Sequence, residues 1–236
     1  MTSAPGEPEP GAVPEDAAPA TRHHASPSGR YGLLLLLLVG TYLLSAFTTG
    51  RLINALQIVL FVGTLLLSLR NSLLARWIAR LMIGVVLIGS AVAFGLVVAQ
   101  PSQAAVGASQ IWTGLVLLAA VVMIVRRILA STTVTLQSIY AALSAYIIIG
   151  LMFAAFYGAM DRLGGVPFFA NGQPGDTRTF QYFSFTTLTT LGYGDFTAAS
   201  NAGRAIAVME AMVGQIFLAT LVARLVSAFR PPAQDK

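Results

Sequence analysis

Thr190-Leu191-Gly192-Tyr193-Gly194-Asp195 forms a short polar loop between two long apolar stretches, at about residues 135–160 and 203–229. The residues before it, Thr177 to Thr189, predict one short helix, with Asp176 as its N-cap and aromatics at Phe180, Tyr182, Phe183 and Phe185. Gly192 and Gly194 stand two residues apart, which permits a backbone that alternates between ordinary conformations and those that favour glycine. A Gly-x-Gly turn alone is common in loops. Non-helical backbone at membrane depth is not, because it is tolerated only where it is enclosed by protein or lines water.

That the loop belongs to a membrane protein follows from composition. The chain of 236 residues is 56% hydrophobic and 10% charged, with a mean hydropathy of +0.76, far too apolar for a soluble domain. Working outward from the loop, apolar stretches occur at about 31–49, 52–69, 77–99, 111–130, 135–160 and 203–229, each near or above the roughly 18 residues that mark a span. The predicted fold is an all-α integral membrane protein with six transmembrane helices, the loop and its short helix re-entering between the fifth and sixth. The tight Gly50-Arg51 connection leaves open that the first two stretches form one bent element.

Residues 1–29, with six prolines and almost no large apolar side chains, are expected to be a disordered tail that includes His23 and His24. Residues 30–130 would form a four-helix membrane domain and 131–236 a second unit. Ten basic residues, among them Arg70, Arg126, Arg127 and Arg224, fall on one side of the predicted topology and four on the other (Arg51, Arg162, Arg178 and Arg204). The bias puts both termini in the cytoplasm and the loop outside. It also accounts for the net charge of +5 without nucleic acid as a partner. Arginine outnumbers lysine 13 to 1, a bias of GC-rich bacterial genomes, so a multi-pass protein of a bacterial plasma (inner) membrane is expected. No cysteine is present, which excludes disulfides and thiolate chemistry. With both histidines in the tail, no His or Ser-His constellation serves an enzyme.

The Thr-Leu-Gly-Tyr-Gly-Asp stretch resembles the selectivity filter of potassium channels, and the likeness extends over roughly residues 131–236 as outer helix, pore helix, filter and inner helix. The resemblance implies potassium ions bound at Thr190, Leu191, Gly192 and Tyr193, where a threonine hydroxyl and a run of carbonyls replace the hydration shell. Tyr193 would point away from the axis to brace the loop, and Asp195 closes the motif. Leu191 stands where the family has valine, which leaves the carbonyl count intact. The pore helix would aim its negative dipole end at the cation. One filter per chain, where the family's pore uses four, implies a homotetramer in lipid. Potassium is the permeant substrate and no cofactor is implied.

Unlike voltage-gated relatives, the fourth stretch carries only the adjacent Arg126 and Arg127. Since one charge moved across 100 mV yields about 2.3 kcal/mol, little voltage sensing is expected. The residues after Phe229 are too few for an appended ligand-binding domain. Gly214, ten residues after Arg204, matches the family's hinge glycine, though glycine at a packed contact explains it equally. Glu210 is the one acidic residue in a span, read as a protonated or hydrogen-bonded support that braces the pore helix below the filter through Thr186, Thr187 or Gln181, with a direct ion site as the alternative. Because Thr186 fills the slot where simple relatives carry a carboxylate, the bracing of Asp195 must differ. Gln215, Leu218, Val222 and Val226 share one helical face and would line the cavity. The expected function is a passive potassium-selective channel. A nonselective cation channel, a potassium-transport subunit and a non-conducting scaffold are the alternatives.

Overall fold

The computed structural model describes residues 30–47, 76–99, 102–131, 134–170 and 172–228. These form α1 (Arg30–Phe47), α2 (Arg76–Ala99), α3 (Gln103–Ala130), α4 (Leu136–Leu163), α5 (Thr177–Leu188) and α6 (Asn201–Ala228). Gln103–Ala130, Leu136–Leu163 and Asn201–Ser227 are long and apolar enough to cross a membrane, and Tyr31–Leu43 and Ile83–Ala99 are shorter apolar helices. The expected tail, the second span at 52–69, the Gly50-Arg51 connection and the residues after 228 lie outside the described residues.

Local chemistry sets the helix ends. α3 begins at Gln103, eight residues before the start expected from hydropathy, because Ser102 caps it by accepting a hydrogen bond from Ala105 N at 3.1 Å. Residues expected in an outer connection are therefore helical. Thr135 and Ser138 form a reciprocal capping box at the start of α4. α4 ends at Leu163, where Gly164 N–H donates to Met160 O at 2.8 Å.

α4 is the buried centre of the chain. Small residues let α3 lie against it in antiparallel register: Gly107 faces Leu163, Gly114 faces Phe156, and Gly158 faces Gln110, each so close that a β-carbon would collide. α1 runs parallel to α4, with Gly32 beside Tyr140, and Leu34 and Leu38 buried in the same cluster as Ala145 and Ile148. One buried cluster therefore crosses the unit boundary expected at residues 130 and 131. α2 packs on α3 through Val86, Val116 and Ala120, and Trp112 Nε1 donates to Ser90 Oγ at 3.3 Å.

The two ends of this bundle differ in chemistry. At one end, Arg127 lies over the Tyr31 ring, 5.3 Å from its centroid, and the Arg224 guanidinium donates to the Ser131 carbonyl between α3 and α4. At the other, Arg162 reaches Gln103 Oε1 at 2.8 Å, and the loop after α4 carries the chain back to α5. α6 packs on α5 and α4 along one edge and leaves Val208, Met209, Met212 and Ile216 uncovered.

Candidate functional site

The short helix α5 forms where the sequence predicts it. Asp176 caps it, its Oδ1 accepting from Thr179 N at 2.8 Å and from Thr179 Oγ1 at 2.6 Å. Partial burial pushes the Asp176 carboxyl up, but the hydrogen bonds from Thr179 and the nearby Arg178 charge outweigh it, and the carboxyl sits below its ordinary range. Phe180, Phe183 and Leu188 are buried. Phe180 and Phe183 join Tyr157, Phe168, Phe169 and Phe196 in a set of edge-to-face, tilted and stacked rings. Phe169 pairs with Ala198 in an antiparallel bridge, which ties the loop before α5 to the chain that follows the motif.

All four carbonyls of the last turn of α5 find donors. Phe185 O accepts from Thr189 N, Thr187 O from Thr190 N at 2.9 Å, and Thr186 O from Leu191 N at 2.8 Å and Gly192 N at 3.1 Å. Leu188 O accepts the Tyr146 hydroxyl of α4 at 3.2 Å. The N–H groups of Thr190, Leu191 and Gly192 are thus consumed by the helix behind them. The carbonyls of residues 190–194 accept no backbone hydrogen bond among the described residues. Residues 190–194 are exposed in the single chain, so these carbonyls face outward from the fold rather than into its core.

The backbone alternates as the glycine spacing predicts. Gly192 has φ +50 and Gly194 φ +79. Thr190 continues the series at φ +57, the one non-glycine residue with positive φ among those described. A β-branched residue there costs of order 1–3 kcal/mol and persists only where its surroundings hold it. Here its N–H is tied to Thr187 O and its Oγ1 donates to Thr189 O at 2.7 Å. No atom lies within 4 Å of a β-carbon built on Gly192 or Gly194, so both positions demand glycine for conformation rather than space. Leu191 and Tyr193 are 54% and 68% exposed in the single chain.

Asp195 Oδ2 accepts from the Tyr182 hydroxyl at 2.8 Å, and Oδ1 accepts from Phe196 N at 3.1 Å. Thr186, in the slot where a carboxylate would have served, returns its hydroxyl to Phe183 O at 3.0 Å. Tyr182 is therefore the brace that sequence reasoning left unassigned. Its phenol, on the face of α5 that leads to the motif, was the available signal.

Glu210 is fully buried. Its Oε2 accepts from the Tyr157 hydroxyl of α4 at 2.6 Å, and its Oε1 lies 2.5 Å from Ser184 Oγ of α5. The α5 residue that meets Glu210 is thus Ser184, two to three residues nearer the N-terminus than the expected Thr186 and Thr187; Thr186 bonds within its own helix, and Gln181, the third expected partner, is buried on α5. Gly214 is also buried. A β-carbon there would stand 2.5 Å from Leu188 O and 2.9 Å from Leu188 Cδ1, and α6 runs through it unbroken. A side chain at this position would collide with the end of α5. Of the expected cavity row, Gln215, Val222 and Val226 are exposed and Leu218 is half-buried, while Leu221 and Leu225 are half-buried on the neighbouring face.

Residues 141–230 match the family model described as ion channel. The match runs from within α4 past the end of α6 and takes in α5 and the motif, well under half of the chain. Comparisons with curated proteins and with solved structures gave no match. The matched segment and the apolar helices that carry it indicate an ion channel set in a membrane.

Proposed function

We propose that this protein is a passive, potassium-selective channel whose pore is a homotetramer. The observation that carries the reading is the backbone of residues 190–194. Positive φ at Thr190, Gly192 and Gly194 alternates with ordinary residues, and the carbonyls are left without backbone partners. Oxygens from Thr190, Leu191, Gly192 and Tyr193, repeated from four chains, would replace the hydration shell of a potassium ion. A single loop cannot enclose an axis. The exposed Leu191 and Tyr193 and the uncovered face of α6 supply the surface on which neighbouring subunits would pack.

Six spans with both termini in the cytoplasm remain the topology that charge favours. The alternation of α1, α3, α4 and α6 supports it, since Tyr31, Arg127, Ser131 and Arg224 gather at one end. Arg127 is packed over an aromatic ring rather than spaced along a moving face, which supports a pore without a voltage sensor. A bacterial plasma membrane is the proposed location.

Bi-ionic reversal potentials of the purified protein in planar bilayers test the reading. With potassium on one side and sodium on the other, the potential is expected to lie close to the potassium equilibrium value. A potential near zero would assign a nonselective cation pore, and an intact assembly that carries no current would assign a non-conducting scaffold.

A further inference from the structure

The contacts of Glu210 contain more acceptors than an ionised carboxylate allows. Ser184 Oγ lies 2.6 Å from Gly150 O and 2.5 Å from Glu210 Oε1, and Tyr157 Oη lies 2.6 Å from Glu210 Oε2. Three short contacts need three protons. A serine hydroxyl and a phenol bring one each, and a backbone carbonyl and a carboxylate bring none. All three side chains are fully buried, and no cation pairs with Glu210 among the described residues. Among the described residues, Tyr146, also on α4, is a further titratable group within electrostatic reach, and it adds no positive charge. An unpaired carboxylate in such a place carries a large desolvation penalty.

We propose that Glu210 is a neutral carboxylic acid whose Oε1–H donates to Ser184 Oγ, so that a directed chain of hydrogen bonds joins the outer, inner and pore helices. In that chain Tyr157 donates to Glu210 Oε2, Glu210 donates to Ser184, and Ser184 donates to the Gly150 carbonyl. Every proton has one acceptor and the path closes on α4. Gly150 is also where α5 approaches most closely, since a β-carbon there would stand 2.7 Å from the Phe185 ring. Phe185 O in turn receives the Thr189 N–H and hydroxyl, one residue before Thr190. Glu210 is accordingly a positioning residue: its acid proton fixes the seat of α5, and α5 carries the motif.

Infrared difference spectroscopy on the purified, assembled protein at neutral pH tests this directly. The wild-type minus Glu210→Gln spectrum is expected to show a carboxylic-acid carbonyl band, absent from the variant. Glutamine keeps the geometry, its carbonyl accepting from Tyr157 and its amide donating to Ser184, so the variant is expected to assemble with native thermal stability. A difference spectrum with carboxylate bands alone would overturn the proposal. Should Glu210→Gln fail to assemble, Ser184→Ala decides: loss of the acceptor shifts the acid band, and an unmoved or absent band is the contrary result. The spectrum requires no ion flux, so this inference and the channel reading fail separately.

Discussion

At the scale of single residues, conformation rather than contact decides the motif. A methyl group on Gly192 meets nothing within 4 Å, but φ +50 is penalised for any residue with a β-carbon, by roughly 1–2 kcal/mol. Gly192→Ala should therefore reach the membrane and assemble, yet lose most potassium conductance because the carbonyl register relaxes. Potassium-over-sodium permeability equal to wild type in that variant would remove the filter assignment. Asp176 gives a second test through pH. Its folded carboxyl is held below the ordinary value, so its capping contribution is complete above the unfolded pKa and is lost as pH falls through the lower folded value. Thermal melting of the wild type should therefore decline on acidification below about pH 4, and Asp176→Asn, which keeps an acceptor that does not titrate, should flatten part of that decline. Identical pH profiles would show that the cap does not contribute.

At the scale of elements, α6 meets the end of α5 at a close backbone joint. Gly214→Ala places a carbon 2.5 Å from Leu188 O. That carbonyl already accepts the Tyr146 hydroxyl, so it has little freedom to retreat. Overpacking of this kind costs typically 1–3 kcal/mol. The variant should melt earlier and show altered selectivity, since Leu188 lies two residues before Thr190. A hinge glycine would instead yield normal melting with slowed gating, and that pattern would sink the packing account. Lower on α6, the absence of native cysteine allows accessibility to be read cleanly. A charged thiol reagent from the cytoplasmic side should block current at Val222→Cys and Val226→Cys more than at Leu221→Cys and Leu225→Cys, which turn toward their own subunit. Equal block at all four would assign the cavity to a different face.

At the scale of the whole molecule, α1 and α3 share buried contacts with the helices that follow them. α1 buries Leu34 and Leu38 against α4, and the Tyr42 ring meets Phe185 of α5 edge to face at 4.9 Å. Helices outside the matched pore segment thus touch the element that carries the motif. With Arg126 and Arg127 the charged residues of α3, adjacent near its C-terminal end, and Arg127 lying over the Tyr31 ring, α3 carries no regularly spaced charge through its length. Open probability measured over a wide voltage range should accordingly change only weakly. Steep activation equivalent to several elementary charges per assembly would contradict it.

What the sequence determined by itself is what depends on local chemistry. Hydropathy marked the long apolar helices, Asp176 marked the start of α5, and the spacing of Gly192 and Gly194 marked alternate left-handed positions, because each follows from one residue type and its near neighbours. Three features needed the tertiary structure. Thr190 adopts positive φ only because α5 ends behind it and binds its N–H, a constraint that no threonine announces. Glu210 was legible as an anomaly, but its partners Ser184 and Tyr157 lie 26 and 53 residues away and meet it only when three helices converge. Gly214 reads from sequence as a bend or a contact alike, and only the packing of α6 on α5 places Leu188 against it. Interactions over such separations are decided by how helices pack, and packing in a lipid solvent follows from shape and hydrogen bonding rather than from hydropathy.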